Sequence, residues 1–362
     1  MSGHGGDIWR AAAAVGRDPD AILDVSANLH PWGPPPGVRA AAARAVARIG
    51  RYPPPHAEPL RDALAARLGA PVVVGNGATE LLVAALAASV AGAETSGLAR
   101  RVHLAAPSYL GYAEAAALAG VTVSYGALGA GEGGGEGGGE GAILVIGRPN
   151  NPDGACPTVA EVAALAAAFP AARLVIDESF LGFTGAPSCI GLAPNVVVVA
   201  SLTKTFAIPG LRLGWAWNLP PGRLPPWTVN VVALEAGLAC LDAWDWPRRP
   251  PLDAWRDALA AALGAIPGVT HVAGAANFLL VTLARANGPM VRAHALRDHG
   301  VLVRDASNFA GLDARHLRVA VRTPEENVRT VTALASALGA ASAVESASAV
   351  ESASASSSAR AP

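Results

Sequence analysis

A chain of 362 residues is longer than one compact core usually requires and predicts about two domains. Apolar residues make up 52% of it and charged residues 15%, which excludes a wholly disordered chain, because there is ample apolar surface to offset the entropy of ordering. The net charge of −1 carries no electrostatic footprint for nucleic acid, and the longest weakly polar stretch, residues 81–93, is too short to span a membrane.

In chain order, residues 1–36 read as an irregular, proline-rich arm without the basic-then-apolar pattern of an export signal. Pro34-Pro35-Pro36 ends the arm. A proline just inside a helix start is preorganised for it, so a helix is expected over 37–49. A second helix is expected over 58–68. Short β-branched or apolar runs at 71–74, 102–105, 121–125, 142–146, 174–176 and 196–200 then alternate with alanine-rich helical stretches. Such runs are those of strands buried on both faces, and their alternation with helices predicts a large α/β domain over 37–250, built on a mostly parallel sheet. Beyond a helix at 252–265, strand-like runs at 269–272, 278–283, 301–304 and 317–321 and helices at 289–299 and 324–338 describe a small α+β domain over 251–339. The Gly/Glu repeat at 126–141 reads as a flexible loop rather than a phosphate cradle, and the SAVESA repeat within 340–362 as a disordered tail. Cys156, Cys189 and Cys240 are scattered, which fits a reducing cytoplasm, and no histidine has the spacing of a metal ligand.

Four polar motifs follow strands, at the carboxyl ends where open α/β sheets bind ligands. Gly75-Asn76-Gly77-Ala78-Thr79-Glu80 opens a helix, where backbone amides and glycines suit a phosphate. It nearly matches the dinucleotide fingerprint, with Glu80 in place of the third glycine, which leaves a nicotinamide site as an alternative. Arg148-Pro149-Asn150-Asn151-Pro152-Asp153-Gly154 is by itself a turn. Asp177 is placed to hold a cationic ring nitrogen, or simply to cap a turn. Lys204, flanked by Ser201 and Thr203 and followed by Arg212, suits a Schiff-base lysine beside a phosphate site, or a solvated loop lysine.

In this order the four motifs resemble the fold-type I pyridoxal-phosphate enzymes, and the similarity extends from His4 to Leu338. The resemblance implies pyridoxal 5′-phosphate as cofactor, with Lys204 as its covalent anchor, Asp177 on the ring nitrogen and Asn151 on the 3-hydroxyl. It also implies that the Ala78 and Thr79 amides, Ser201, Thr203 and Arg212 hold the cofactor phosphate, and that Tyr109 stacks on the ring. Tyr52 would reach the cofactor of a partner subunit, which implies a homodimer.

His4-Gly5-Gly6-Asp7, Asp24-Val25-Ser26-Ala27-Asn28 and Pro31-Trp32-Gly33-Pro34-Pro35 look like the opening of the branch that decarboxylates threonine phosphate for cobalamin synthesis. Arg304 and Arg318 resemble the substrate arginines of that branch; a substrate carrying both carboxylate and phosphate needs at least two bidentate cation donors. Phe180 fits the same branch, since transaminases of the group usually have tyrosine there. His4, Asn28 and Asn151 would join the arginines on the substrate, and His30 is expected near the same pocket. The reaction so implied converts L-threonine O-3-phosphate to (R)-1-amino-2-propanol O-2-phosphate and CO2. Histidinol-phosphate aminotransferase and serine-phosphate decarboxylation are the alternatives. A pyridoxal-binding regulator is a third, opposed by an arm that is short and not basic.

Overall fold

The computed structural model describes residues 4–93, 101–126, 142–220 and 222–358. Its first elements are α1 (Ile8–Val15), β1 (Leu23–Asp24), α2 (Pro36–Ala45), α3 (Glu58–Leu68), β2 (Val72–Gly75), α4 (Ala78–Ala93), β3 (Arg101–Leu104), α5 (Leu110–Leu118) and β4 (Thr122–Tyr125). Next come β5 (Ile143–Gly147), α6 (Val159–Ala168), β6 (Arg173–Asp177), β7 (Val196–Ser201), α7 (Leu202–Thr205), β8 (Gly214–Trp217) and α8 (Val231–Leu241). The chain closes with α9 (Leu252–Gly264), β9 (Val269–Ala273), β10 (Phe278–Leu283), α10 (Gly288–His299), β11 (Val301–Leu302), β12 (Arg304–Asp305), β13 (His316–Ala320) and α11 (Pro324–Ser358).

Seven strands form one sheet in the order β2-β8-β7-β6-β5-β3-β4. All its pairings are parallel except those of β8, which runs antiparallel to β2 and β7. Six of the seven are the runs expected from the sequence. The seventh, Gly214-Trp215-Ala216-Trp217, is short and starts on a glycine, so local propensity hides it and its two neighbours in the sheet define it. Alternate residues of β6 divide between the two faces. Leu174 and Ile176 pack with Leu60, Leu64, Val162 and Leu234 from α3, α6 and α8, while Val175 packs with Leu81, Leu86 and Ala115 from α4 and α5. Burying each such side chain contributes about 1.5–3 kcal/mol, which is why these strands read as unbroken apolar runs.

A second, antiparallel sheet has the order β12-β13-β10-β9. Its core joins Phe278, Val281, Leu317 and Val319 to side chains of α9, α10 and α11, and takes in Phe180 and Phe183 from beyond β6.

Two expectations are corrected. The N-terminal arm is not irregular throughout. Asp7 caps α1 by accepting from the Arg10 amide, Ala11 and Ala12 pack on Ile22, Leu296 and Leu302, and β1 pairs in parallel with β11. The arm is thereby tied to the C-terminal part of the chain. At the other end, α11 continues through the segment expected to be disordered, as far as Ser358. Alanine, serine, valine and glutamate fill residues 340–358 with no proline to break the helix, and the alanines favour its continuation. Apart from Gly126, the expected Gly/Glu loop lies outside the described residues.

Candidate active site

The strand ends gather the polar motifs into one cavity. Register pairs Gly147 with Asp177 and Ser201 with Gly214, so β5, β6, β7 and β8 bring these residues to a common edge. Asp177, Asn151, Ser201, Thr203, Lys204, Arg212, Ala78, Thr79 and Tyr109 all line the cavity beyond it. Ser201 caps α7, accepting from the Thr203 amide, and this first turn carries Lys204. Burial brings the Lys204 ammonium down to about 8, helped by the charges of Arg318 and Arg212 and opposed by Asp24 and Asp177. Such an amine is more readily available as nucleophile or base near neutrality. The Asp177 carboxyl is pushed upward by burial, against hydrogen bonds from Ser179 and Tyr112 and the charge of Lys204.

The residues fit a phosphorylated cofactor at this edge. A Cβ on Gly214 would lie 2.7 Å from the Ala200 carbonyl and 3.0 Å from the Ala78 nitrogen, so glycine is required for β8 to pass under the start of α4. The Arg212 guanidinium lies over Gly77, and Arg212 lines the same cavity as Ala78 and Thr79 at the start of α4. Helix-start amides and a guanidinium together form an anion cradle.

A second cationic group lines the same cavity. Arg304 and Arg318 are direct partners across β12 and β13. Both are buried, at 8% and 6% exposure. Arg318 donates to the Asn151 side chain at 2.5 Å and to the Ser26 carbonyl at 2.5 Å, both neutral acceptors, and its Nε has no partner. Burial and the Arg304 charge pull its guanidinium well below its ordinary value. Arg304 donates to the Asp305 carbonyl and, at 2.7 Å, to Asn308, and lies over the Phe309 ring. Asn28, 2% exposed and lining the same cavity, has neither amide atom paired. A buried side-chain amide left unpaired beside two arginines marks a position for a polar ligand.

The arm closes one side. His4 lines the cavity, its Nε2 lies 2.9 Å from both Glu114 carboxylate oxygens, and its ring is 5.8 Å from that of Tyr109. Ser26 holds this segment in place by accepting from the Gly6 amide and donating to Asp24.

Two residues fall elsewhere. His30 does not line the cavity. Its Nε2 donates to the Trp246 carbonyl at 3.0 Å, its Nδ1 accepts from the Trp32 amide, and its ring sits among Phe183, Trp32 and Trp246. Burial takes it down to about 4, so it is neutral there. Tyr52 is 84% exposed, against Trp227 and away from the cavity. The sequence reading missed Tyr112, whose hydroxyl donates to Asp177 at 2.9 Å, and gave no role to Phe309 on the cavity wall. The spacing of Tyr112 from Tyr109 (one helical turn) was the available signal.

Residues 20–218 match the aminotransferase class I and II family. Threonine-phosphate decarboxylase of Salmonella typhimurium is 32% identical over 368 residues, which span 93% of this chain and 97% of that protein. Histidinol-phosphate aminotransferase of Symbiobacterium thermophilum is also 32% identical, over 88% of this chain and 91% of its own. The crystal structure of L-threonine-O-3-phosphate decarboxylase from Porphyromonas gingivalis aligns with a TM-score of 0.77 at 26% identity, covering 88% of this chain and 100% of that one. By sequence match, fold and the arrangement of its strand ends, the chain belongs to the aminotransferase class I and II family.

Proposed function

We propose that this chain is a pyridoxal-phosphate-dependent decarboxylase that converts L-threonine O-3-phosphate to (R)-1-amino-2-propanol O-2-phosphate and CO2, in the cytoplasm, as a step of cobalamin synthesis. The observation that carries the reading is the buried pair Arg304 and Arg318, facing the cavity that also holds Lys204 and Asp177. Two buried guanidiniums on one cavity wall suit a substrate with two anionic groups. The similarity to threonine-phosphate decarboxylases supports the choice of substrate.

The bound cofactor would supply an electron sink for the pair left at Cα when CO2 departs. Lys204 anchors the cofactor and then returns one proton to Cα, which balances the loss of CO2. Asp177 holds the ring nitrogen, Asn151 the 3-hydroxyl, and Tyr109 the ring face. The Ala78 and Thr79 amides, Ser201, Thr203 and Arg212 hold the cofactor phosphate. Arg304, Arg318, Asn28 and His4 bind substrate and set its carboxylate, while Phe180 brings no hydroxyl to the cavity wall. The large and small domains meet at this cleft. Tyr52, exposed and outside the cavity, serves the cofactor of a second copy in a homodimer.

Histidinol-phosphate aminotransferase is the second reading, favoured by a relative of equal identity. Purified protein supplied with pyridoxal phosphate and threonine phosphate decides between them. Release of CO2 with aminopropanol phosphate is expected; amino transfer that needs an oxo acid and yields no CO2 overturns the proposal. Lys204→Ala should lose both the visible absorbance of the bound cofactor and turnover.

A further inference from the structure

Asp177 is held by two donors that do not come from any ligand. The Ser179 amide donates to Oδ1 at 2.9 Å, and the Tyr112 hydroxyl donates to Oδ2 at 2.9 Å from the neighbouring helix α5. Tyr112 is 2% exposed, lies among Leu81, Ala115 and Val175, and sets its ring edge against Tyr109 with centroids 5.4 Å apart. The backbone beside it is kept bare. A Cβ on Gly147, the register partner of Asp177, would lie 2.9 Å from the Tyr112 hydroxyl oxygen. A phenol aimed from an apolar helix face at one carboxylate oxygen, with glycine making room for it, is more specific than packing requires.

We infer that Tyr112 is a positioning residue: its hydroxyl fixes the plane of the Asp177 carboxylate and supports its ionised form, so that the carboxylate presents its remaining lone pairs to a cationic nitrogen in the cavity. A carboxylate has about four acceptor positions, and the two internal donors occupy two of them. Burial disfavours the charged form of Asp177, and a hydrogen bond donated to that form opposes the effect. The titratable groups facing Asp177 are Tyr112 and Tyr109 from the α5 side and Lys204 from α7. Removing the hydroxyl therefore moves Asp177 toward the neutral acid, which weakens its hold on a protonated ring nitrogen. Through its ring edge the same residue backs Tyr109, the side chain assigned to the ring face.

The inference rests on the pyridoxal reading and is tested with the holoenzyme. Tyr112→Phe removes one oxygen from an otherwise apolar setting. The measurements are the dissociation constant of pyridoxal phosphate, the nitrogen-15 resonance of ring-labelled cofactor as a function of pH, and kcat and KM. In the wild type the resonance should report a protonated ring nitrogen. In Tyr112→Phe it should move toward the neutral-ring position at lower pH, with cofactor affinity and kcat each reduced about 10- to 100-fold and KM within about threefold. In an Asp177→Asn background the same substitution should change none of these further, whereas a purely structural tyrosine would act equally in both. A Tyr112→Phe holoenzyme with the wild-type resonance and cofactor affinity overturns the inference and leaves the pyridoxal reading intact. Failure of the wild type itself to bind the cofactor overturns both. If Tyr112→Phe does not fold, 3-fluorotyrosine at the same position retains the ring and hydroxyl. Its more acidic hydroxyl must shift the resonance, and an unchanged resonance overturns the inference.

Discussion

Arg304 and Arg318 face one another directly across an antiparallel ladder, and both are buried at the cavity. Like charges in that position are destabilising unless an anion lies between or beside them. Asp305 and Asp24 offset part of this repulsion, and an anionic ligand at the cavity is expected to offset it further. In protein already loaded with pyridoxal phosphate, inorganic phosphate should raise the unfolding temperature of the wild type, and Arg304→Met should remove most of that rise while leaving the ligand-free protein as stable or more so. The same variant should lose about 100-fold or more in kcat/KM. Equal stabilisation of both proteins by phosphate would separate the arginine pair from anion binding.

Lys204 sets a stability change at alkaline pH in the cofactor-free protein. Its ammonium lies near 8 in the folded chain, against an ordinary value of 10.5. A depressed value means that the unfolded chain holds the proton more tightly, so the associated stability is fully present above the unfolded value and is lost as pH falls through the folded one. Lys204→Met removes this linkage. The stability advantage of the variant over the wild type should therefore shrink by roughly 2 kcal/mol between pH 7 and pH 9.5, read from urea unfolding of both apoproteins. A difference that does not change with pH would mean that the lysine is not desolvated.

The side chains at strand ends were the readable part of the site. Asp177 and Lys204 each follow an unbroken apolar run, and a polar residue that ends such a run stands at the sheet edge whatever the rest of the fold does. The partnership of Arg304 with Arg318 was not readable, because register depends on where two strands meet and neither residue encodes it. Tyr112 was hidden in an alanine-rich helix, where an aromatic side chain reads as core; only the packing of α5 beside α4 on this face of the sheet brings its hydroxyl to Asp177. His30 shows the opposite failure. It is two residues from Asn28, yet the backbone turns between them, leaving Asn28 at the cavity and His30 among three aromatic rings. Proximity in sequence does not say on which side of a turn a side chain falls.

That buried imidazole predicts an acid-sensitive joint behind the active site. His30 is fully buried, lies near 4 against an ordinary 6.5, and its amide donates to the Lys204 carbonyl at 3.1 Å. With the folded value depressed, the stability it confers is complete above pH 6.5 and is lost as pH falls toward 4. The loss amounts to about 3 kcal/mol over that window. His30→Gln keeps a donor for the Trp246 carbonyl and cannot titrate. Its unfolding free energy should fall less steeply between pH 6.5 and pH 4.5 than that of the wild type, and parallel curves would mean that His30 does not contribute to the acid transition.

The sharpest stability test lies one residue beyond Asp177. Arg148 and Glu178 form an ion pair at 3.0 Å with side chains only 1% and 2% exposed. Arg148 also donates to the Pro157 carbonyl at 2.7 Å, and Glu178 accepts from Ser188 at 2.5 Å and from the Cys189 amide at 2.8 Å. The Arg148 amide donates to the Asp177 carbonyl, so the pair joins the Asn151 turn to the end of β6. Replacing one member strands a buried charge, which costs about 3–5 kcal/mol, whereas replacing both removes two charges that were expensive to desolvate. Arg148→Met should therefore destabilise the apoprotein by about that amount and lower its affinity for the cofactor, because the turn carrying Asn151 loses its anchor. Adding Glu178→Gln should recover a large part of the stability but not of the affinity. If the two substitutions instead cost the sum of their separate effects, measured by urea unfolding, the pair does not act as a unit and the link between turn and strand must be carried by the backbone hydrogen bonds alone.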